Sequence, residues 1–358
     1  MDILLILAAL ALAFSNGAND NFKGFATVWG SDTLTYRRAL LFATIATVAG
    51  SLASLWLAEA LVQQFSGKGL VPDAIVSSPL FITSVAGGAA MTVFLATRLG
   101  LPVSTTHALI GGLIGAGLAQ SSGAVHLDKL TGTFVMPLVV SPLLAAAMGL
   151  SIARWRKLRP LGAHAKDCAC VTQPVVQAGV DGTVVLRAPS VVLAASRDCD
   201  RLETAVRVSV PRTLDRLHIL SAMSICFARG VNDTPKLVAL LIAARMLGAH
   251  ASLLAVVAAM ALGGVLFARQ VAHTMSQRVT RMDHAQGLTA NLITATLVLF
   301  ASKLGLPVST THVAVGAIAG VGANAGTLDW TALRNILLSW VATLPLAMGL
   351  AWAIGRMI

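Results

Sequence analysis

Leu99–His107 reads LGLPVSTTH, and Leu304–His312 reads LGLPVSTTH again. Nine identities in order are the trace of an internal duplication, which sets the architecture before any single element is placed. Working outward, a looser pair appears. Gly17–Asp20 reads GAND and Gly230–Asp233 reads GVND, and each is followed three residues later by a lysine, Lys23 and Lys236. Each half therefore runs Asn-Asp-x-x-Lys and then LGLPVSTTH.

The material around these motifs is apolar. Of 358 residues, 56% are hydrophobic and only 11% charged, where a soluble domain carries about 25% charged residues. Mean hydropathy is +0.80. Runs long enough to cross a hydrocarbon layer of about 30 Å recur throughout. The expected class is an all-α polytopic membrane protein of 10–12 transmembrane segments. The net charge of +11 does not argue for nucleic acid, because the basic residues sit in loops, where membrane topology explains them. Met1-Asp2 leads straight into apolar sequence without a basic n-region, so the first segment reads as a retained helix.

Ten hydrophobic segments are predicted: 2–30, 38–64, 79–98, 102–120 and 133–153, then 216–246, 249–269, 285–302, 307–324 and 331–355. This divides the chain into a first membrane repeat 1–153, a loop 154–215 and a second membrane repeat 216–358. The basic run Arg154, Arg156, Lys157 and Arg159 puts the central loop in the cytoplasm. The N- and C-termini then lie outside. Arg37, Arg38, Arg98, Arg278 and Arg281 fall inside, and the outer loops hold few basic residues, mainly Lys68, Lys129 and Lys303. The count depends on 102–120 and 307–324 being crossings rather than re-entrant hairpins. An odd number of crossings per half makes the halves inverted repeats, the plan of secondary transporters with a midplane site at the repeat interface.

In the loop, 171–177, 183–187, 191–193 and 205–210 are β-prone, with Asp181-Gly182 as a hairpin turn signal. A small cytoplasmic insertion with short strands is expected. His164, Cys168, Cys170 and Cys199 lie there, but their spacing matches no strong zinc pattern, and reduced thiols are the favoured reading.

Asp20 and Asp233 fall within apolar segments, at a cost of at least about 2.5–3.5 kcal/mol each. They are expected to face a cavity, an ion or a partner charge. A helix loosened at Gly17 or Gly230 frees carbonyls that coordinate Na⁺ and N–H groups that face an anion. The competing reading is an Asp–Lys i,i+3 pair that only neutralises itself. Pro102 and Pro307 suit a first helical turn, putting Ser104, Thr105, Thr106 and Ser309, Thr310, Thr311 at helix N-termini. Converging hydroxyls and N–H groups there fit a tetrahedral oxyanion; the competing reading is small residues at helix contacts. His107 and His312 are left between anion donor, proton carrier and helix contact. Arg229, where the first half has Asn16, breaks the symmetry.

At these residues the sequence resembles the inorganic phosphate transporter (PiT) family, which carries Gly-x-Asn-Asp and Gly-x-Pro-x-Ser-Thr-Thr-His in each of two inverted halves. The resemblance covers nearly all the chain except 154–215. It implies a homodimeric symporter of the cell membrane that takes up phosphate with Na⁺ or H⁺, has no cofactor, and is not an enzyme. It implies that Asn19, Asn232 and the Ser-Thr-Thr turns bind phosphate, that Asp20 and Asp233 hold the coupling cation (Na⁺ if sodium-coupled), and that Lys23, Lys236, His107, His312 and Arg229 are accessory. Membrane lipid is the expected surroundings. The first half departs from the family pattern: relatives continue roughly Asn-Asp-x-Ala-Asn-Ala, whereas this chain has Asn21-Phe22-Lys23-Gly24. That puts the coupling ion in doubt and leaves a sulfate or other oxyanion permease open. An intramembrane hydrolase using Ser, His and Asp is the remote alternative, since no nucleophile motif surrounds these serines.

Overall fold

The computed structural model describes residues 1–67, 69–120, 125–158, 168–172, 174–178, 184–194, 204–243, 248–277 and 282–358. Lys68, Arg159, His164, the Asp181-Gly182 turn, Cys199, Arg278 and Arg281 lie outside these residues.

The first half begins with α1 (Asp2–Asp20), a 3₁₀ turn (Lys23–Phe25) and α2 (Ala26–Gly30), which together make one broken element. It continues with α3 (Tyr36–Leu57), the short α4 (Glu59–Gln64) and α5 (Asp73–Val76), then α6 (Pro79–Arg98) and α7 (Thr105–Gln120). A turn, α8 (Leu127–Lys129), leads through π-helical Leu130–Val135 into α9 (Met136–Leu158). The second half holds α10 (Val210–Ala243), α11 (Ala249–Phe267), α12 (Arg269–Gln277), α13 (His284–Lys303), α14 (Thr310–Ala325) and α15 (Trp330–Met357). The ten expected segments are all present as helix.

Seven of these stretches are long and apolar enough to cross a membrane: 2–30, 36–57, 79–98, 130–155, 249–267, 284–303 and 330–357. The outer surface is apolar: Ile3, Trp56, Leu143 and Val341 are exposed. The charges are inside: Asp20, Lys23, Arg229, Asp233 and Lys236 are all buried. This is the reverse of a soluble protein and suits a lipid surround, where outward polar groups are costly.

The halves interleave. α1 crosses α11 so closely that a Cβ on Gly17 would lie 1.9 Å from the Met260 carbonyl oxygen, and one on Gly263 would lie 2.0 Å from that of Phe14. α3 meets α10 in the same reciprocal way, Gly50 on Phe227 and Gly230 on Thr47. Small residues that let backbones touch are the usual basis of helix association in lipid. Gly111 and Gly115 of α7 lie on α15, and Gly316 and Gly320 of α14 lie on α9. First helices thus pack on the other half's second helices, and second hairpin arms on the other half's last helices.

The hairpins α6–α7 and α13–α14 decide how the crossings are counted. Gly100 and Gly305 hold the turns with φ of 69° and 68°, a region glycine enters without strain. Beyond each turn the chain runs extended back into the protein. Thr106 Oγ1 donates to the Val308 carbonyl (3.3 Å), and Thr311 Oγ1 donates to the Val103 carbonyl (2.9 Å). Full crossings in opposed halves would put these segments at opposite faces, about 30 Å apart. They are bonded to each other, so α7 and α14 start at a common interior point. At 16 residues each, they are also shorter than the usual spanning helix of about 20. α7 and α14 therefore do not fit the full crossings expected at 102–120 and 307–324. Pro102 and Pro307 do not open the helices as expected. Proline biases its predecessor toward extended backbone, and Ser104 and Ser309 supply the N-caps, accepting from His107 N (3.2 Å) and His312 N (3.3 Å).

The insertion has the expected strands. β1 (Cys168–Thr172) pairs antiparallel with both β4 (Val191–Ala194) and β5 (Thr204–Ser209), and β2 (Val175–Ala178) pairs with β3 (Val184–Arg187). The run expected at 171–177 is split, with Pro174 between β1 and β2; proline cannot donate to a ladder. Cys168 and Cys170 are buried in this sheet. Cys170 is disulfide-bonded, which corrects the reduced-thiol expectation at that position. Among the described residues no group of three or more His, Cys, Asp or Glu is arranged to hold a metal.

Candidate substrate site

Helix α1 stops at Asp20, and the backbone tightens to a 3₁₀ turn at Lys23. Asn and Asp compete with the helix for backbone partners, and Gly24 weakens it further. The break is confined to the first half. α10 runs unbroken through Asn232, Asp233 and Lys236, although Pro235 within it removes one backbone donor.

Lys23 donates to Asp20 Oδ1, to the Val103 carbonyl (2.9 Å) and to Thr311 Oγ1 (2.6 Å). Lys236 donates to Asp233 Oδ1 (3.3 Å), to the Val308 carbonyl (2.9 Å) and to Thr106 Oγ1 (2.9 Å). Every partner of one lysine is the repeat counterpart of a partner of the other. Each ammonium takes its carboxylate and carbonyl from its own half and its hydroxyl from the opposite half. The i,i+3 pairs weighed against a ligand site are therefore formed in both halves, each tied to the facing hairpin.

The two asparagines hold the hairpins to the helices. Asn19 donates to Thr97 Oγ1 (2.9 Å) and the Leu101 carbonyl (3.0 Å), and accepts from Val103 N (3.2 Å). Asn232 donates to the Val308 carbonyl (3.3 Å) and to Asp233 Oδ1 (3.0 Å), and accepts from Ser302 Oγ (3.1 Å).

Between the pairs, the amide nitrogen of Asn16 reaches Asp20 Oδ2 (3.2 Å), Thr105 Oγ1 (3.0 Å) and Asp233 Oδ2 (3.3 Å). Its oxygen accepts from Arg229 Nη2 (2.9 Å), and Arg229 Nη1 reaches Asn21 Oδ1 (3.3 Å) and Thr47 Oγ1 (3.4 Å). Arg229 Nε lies 3.6 Å from Asp233 Oδ2 and, among the described residues, makes no hydrogen bond. Asn16, Asn21, Thr47, Thr97 and Ser302 were missed in the sequence. Asn16 alone had a readable signal, its alignment with Arg229 in the repeat.

The remaining expected residues fall elsewhere. Ser104 and Ser309 cap helices, and Thr310 is buried at the start of α14. His107 and His312 do not reach the carboxylates. Their rings lie 4.6 Å apart, His312 stacks on Trp340 at 3.7 Å, and both line an apolar cavity of about 600 Å³ with residues of α9 and α15. Trp340 Nε1 donates to the Pro102 carbonyl (3.1 Å) and so braces the first hairpin.

The buried cluster holds Asp20 and Asp233 against Lys23, Arg229 and Lys236, a formal surplus of one positive charge. It has N–H donors for an anion. For a coupling Na⁺ the fit is poor, because each carboxylate already faces an ammonium.

A polytopic helical protein whose duplicated halves bring broken and interior-starting helices to one buried polar cluster is, by class, a membrane transporter. Residues 16–351 match the phosphate transporter family, and the chain belongs to it. It is a transporter and not an enzyme, which removes the hydrolase alternative. It is similar, at 27% identity over 96% of this chain and 95% of the other, to a protein of Pyrococcus abyssi that carries the name putative phosphate permease. It is 25% identical, over 96% of this chain and 75% of the other, to a protein of Mycobacterium leprae designated a probable low-affinity inorganic phosphate transporter. Among solved structures it matches one titled the sodium-dependent phosphate transporter, with a TM-score of 0.78 and 23% identity over 99% of this chain. At that identity the likeness is one of fold.

Proposed function

We propose that this chain imports inorganic phosphate across the cell membrane by alternating access, as a secondary transporter coupled to Na⁺ or H⁺. The observation that carries the reading is the buried surplus of positive charge between the two hairpin turns, with the Arg229 Nε–H making no hydrogen bond among the described residues. Phosphate sits where the N-termini of α7 and α14 converge. Thr105 and Thr310 donate to its oxygens, and Thr106 and Thr311 join them when their hydroxyls release the Val308 and Val103 carbonyls, with Ser104 and Ser309 beside them at the caps; helix N-termini favour anions. Asn19 and Asn232 fix the turns. Asp20 and Asp233 balance the cations and belong to the coupling. Phosphate adds negative charge next to Arg229 and weakens its hold on Asn16, which links occupancy to the contact between α1 and α10. The termini face outward, 154–215 is cytoplasmic, 1–153 and 216–358 are the two repeats, and the unit in the membrane is a homodimer.

Radiolabelled phosphate uptake into proteoliposomes under imposed Na⁺ or proton gradients tests this. Uphill accumulation is expected, with Asp20→Asn and Asp233→Asn each inactive. Wild-type rates in both variants would sink the site assignment. Excess sulfate abolishing phosphate uptake would move the substrate to the oxyanion-permease alternative.

A further inference from the structure

We propose that Lys23 and Lys236 are built-in cations: their ammonium groups fill the two positions beside Asp20 and Asp233 that a coupling Na⁺ would need, and this chain transports without Na⁺. The inference deepens the phosphate-transport reading and rests on it.

The geometry is specific. An ammonium has three donors and no acceptor. Lys23 meets three oxygens, a carboxylate, a backbone carbonyl and a hydroxyl. Lys236 meets the same three kinds. Both lysines are buried, at 4% and 1% exposure, so water completes neither shell. A carboxylate, a hydroxyl and a carbonyl from unwound backbone, here the extended hairpin stretches that precede α7 and α14, are also the donor set that broken-helix transporters offer to Na⁺. The lysines occupy that set twice, at counterpart places of the repeat.

An added Na⁺ on either Oδ1 would share that oxygen with an ammonium, and the two Oδ2 atoms already face the Asn16 amide, with Arg229 Nε 3.6 Å from that of Asp233, in a cluster that carries a formal surplus of one positive charge. Like charges so close in a buried place repel strongly. The lysine is also tethered. It offsets phosphate charge as a bound Na⁺ would, but it does not leave with the substrate. Energy from a Na⁺ gradient therefore never enters the cycle. The sequence departure at Asn21-Phe22-Lys23-Gly24 places one of these charges, and the second half carries the other at the same offset from its aspartate.

The test uses the full chain. In proteoliposomes, phosphate uptake or counterflow is measured in Na⁺, K⁺ and choline media. In detergent, the unfolding temperature is followed as Na⁺ is titrated, since a ligand that binds the folded state stabilises it by mass action. The expected results are rates alike in the three media and no Na⁺-dependent rise in unfolding temperature. A rise in uptake of about tenfold with Na⁺, equivalent to one decade of equilibrium constant, or clear stabilisation by Na⁺, overturns the proposal. Lys23→Ala and Lys236→Ala are expected to lose uptake in choline and regain part of it in Na⁺, because the emptied oxygen set then admits the ion. A folded alanine variant that transports equally in both media also overturns it. Should the variants fail to fold, the wild-type measurements decide alone. Should no oxyanion be taken up in any medium, the phosphate reading falls, while the titration of unfolding temperature still decides the role of the lysines.

Discussion

In the first half, the helix that carries Asn16, Asp20 and Lys23 stops at Asp20 and tightens into a 3₁₀ turn. In the second half, the helix that carries Arg229, Asp233 and Lys236 runs unbroken from Val210 to Ala243. The two segments nevertheless build matching surroundings for their lysines, down to the carbonyl and threonine partners. They differ at positions 16 and 229, and those two residues touch each other. A residue on the axis that relates two repeats meets its own counterpart. Two arginines there would face like charge in a buried place, and two asparagines would supply no cation. Counterparts that meet can stay alike where no fixed charge is involved, as His107 and His312 do at 4.6 Å; an arginine cannot.

The sharpest way to break this comparison is to unbalance the charges. Asp233→Asn strands two cations, Arg229 and Lys236, whereas Asp20→Asn strands chiefly Lys23. Breaking a buried pair costs about 3–5 kcal/mol. Both variants should lose uptake and stability, Asp233→Asn more than Asp20→Asn, as read from unfolding in detergent. Equal losses would mean that Arg229 belongs to neither carboxylate. The next effect is Arg229→Asn, which makes the halves alike. Losing hydrogen bonds to a charged group costs about 1.5–3 kcal/mol, so phosphate affinity should fall by about one to two decades, and isothermal titration measures it. A third pair tests the symmetry itself. Thr106→Val and Thr311→Val each remove a hydroxyl that accepts from a buried lysine, at about 1–3 kcal/mol of unfolding free energy; the two values should agree. A marked difference would show that the two lysines are not equivalent. The smallest effect is Trp340→Phe, which removes the Nε1–H bond to Pro102 at about 0.5–1.5 kcal/mol and leaves uptake near wild type.

Much of this was legible in the chain. The nine-residue repeat gave the duplication, and hydropathy gave ten segments within a few residues, because period and length are local properties. The Asn-Asp-x-x-Lys motifs and the hairpin residues Thr105, Thr106 and Thr311 share one hydrogen-bonded network. What the sequence hid was where the hairpins end. Pro102 and Pro307 read as helix starts, yet the helices begin at Thr105 and Thr310, because the fate of an extended stretch is set by partners on the opposite hairpin. The histidines sit in the same motif as the threonines but face the α9 and α15 side, since successive residues of a helix point in different directions. The break at Asp20 and the continuity at Asp233 were not separable by motif. Pro235 would have favoured the opposite assignment.

The interleaving of the halves also bears on how the protein is made. α1 ends at Asp20 and the 3₁₀ turn that follows it carries Lys23, so the charge is offset within three residues of chain. α10 is not among the stretches apolar enough to enter lipid by composition. It brings Arg229, Asp233 and Lys236; the acceptors Asn16, Thr47 and Thr106 lie earlier in the chain, and the Val308 carbonyl that Lys236 also meets lies later. Its glycine face fits α3, which is also synthesised first. The first half thus offers Arg229 its acceptors before α10 is made, whereas the shells of Lys23 and Lys236 close only when the second hairpin brings Thr311 and Val308.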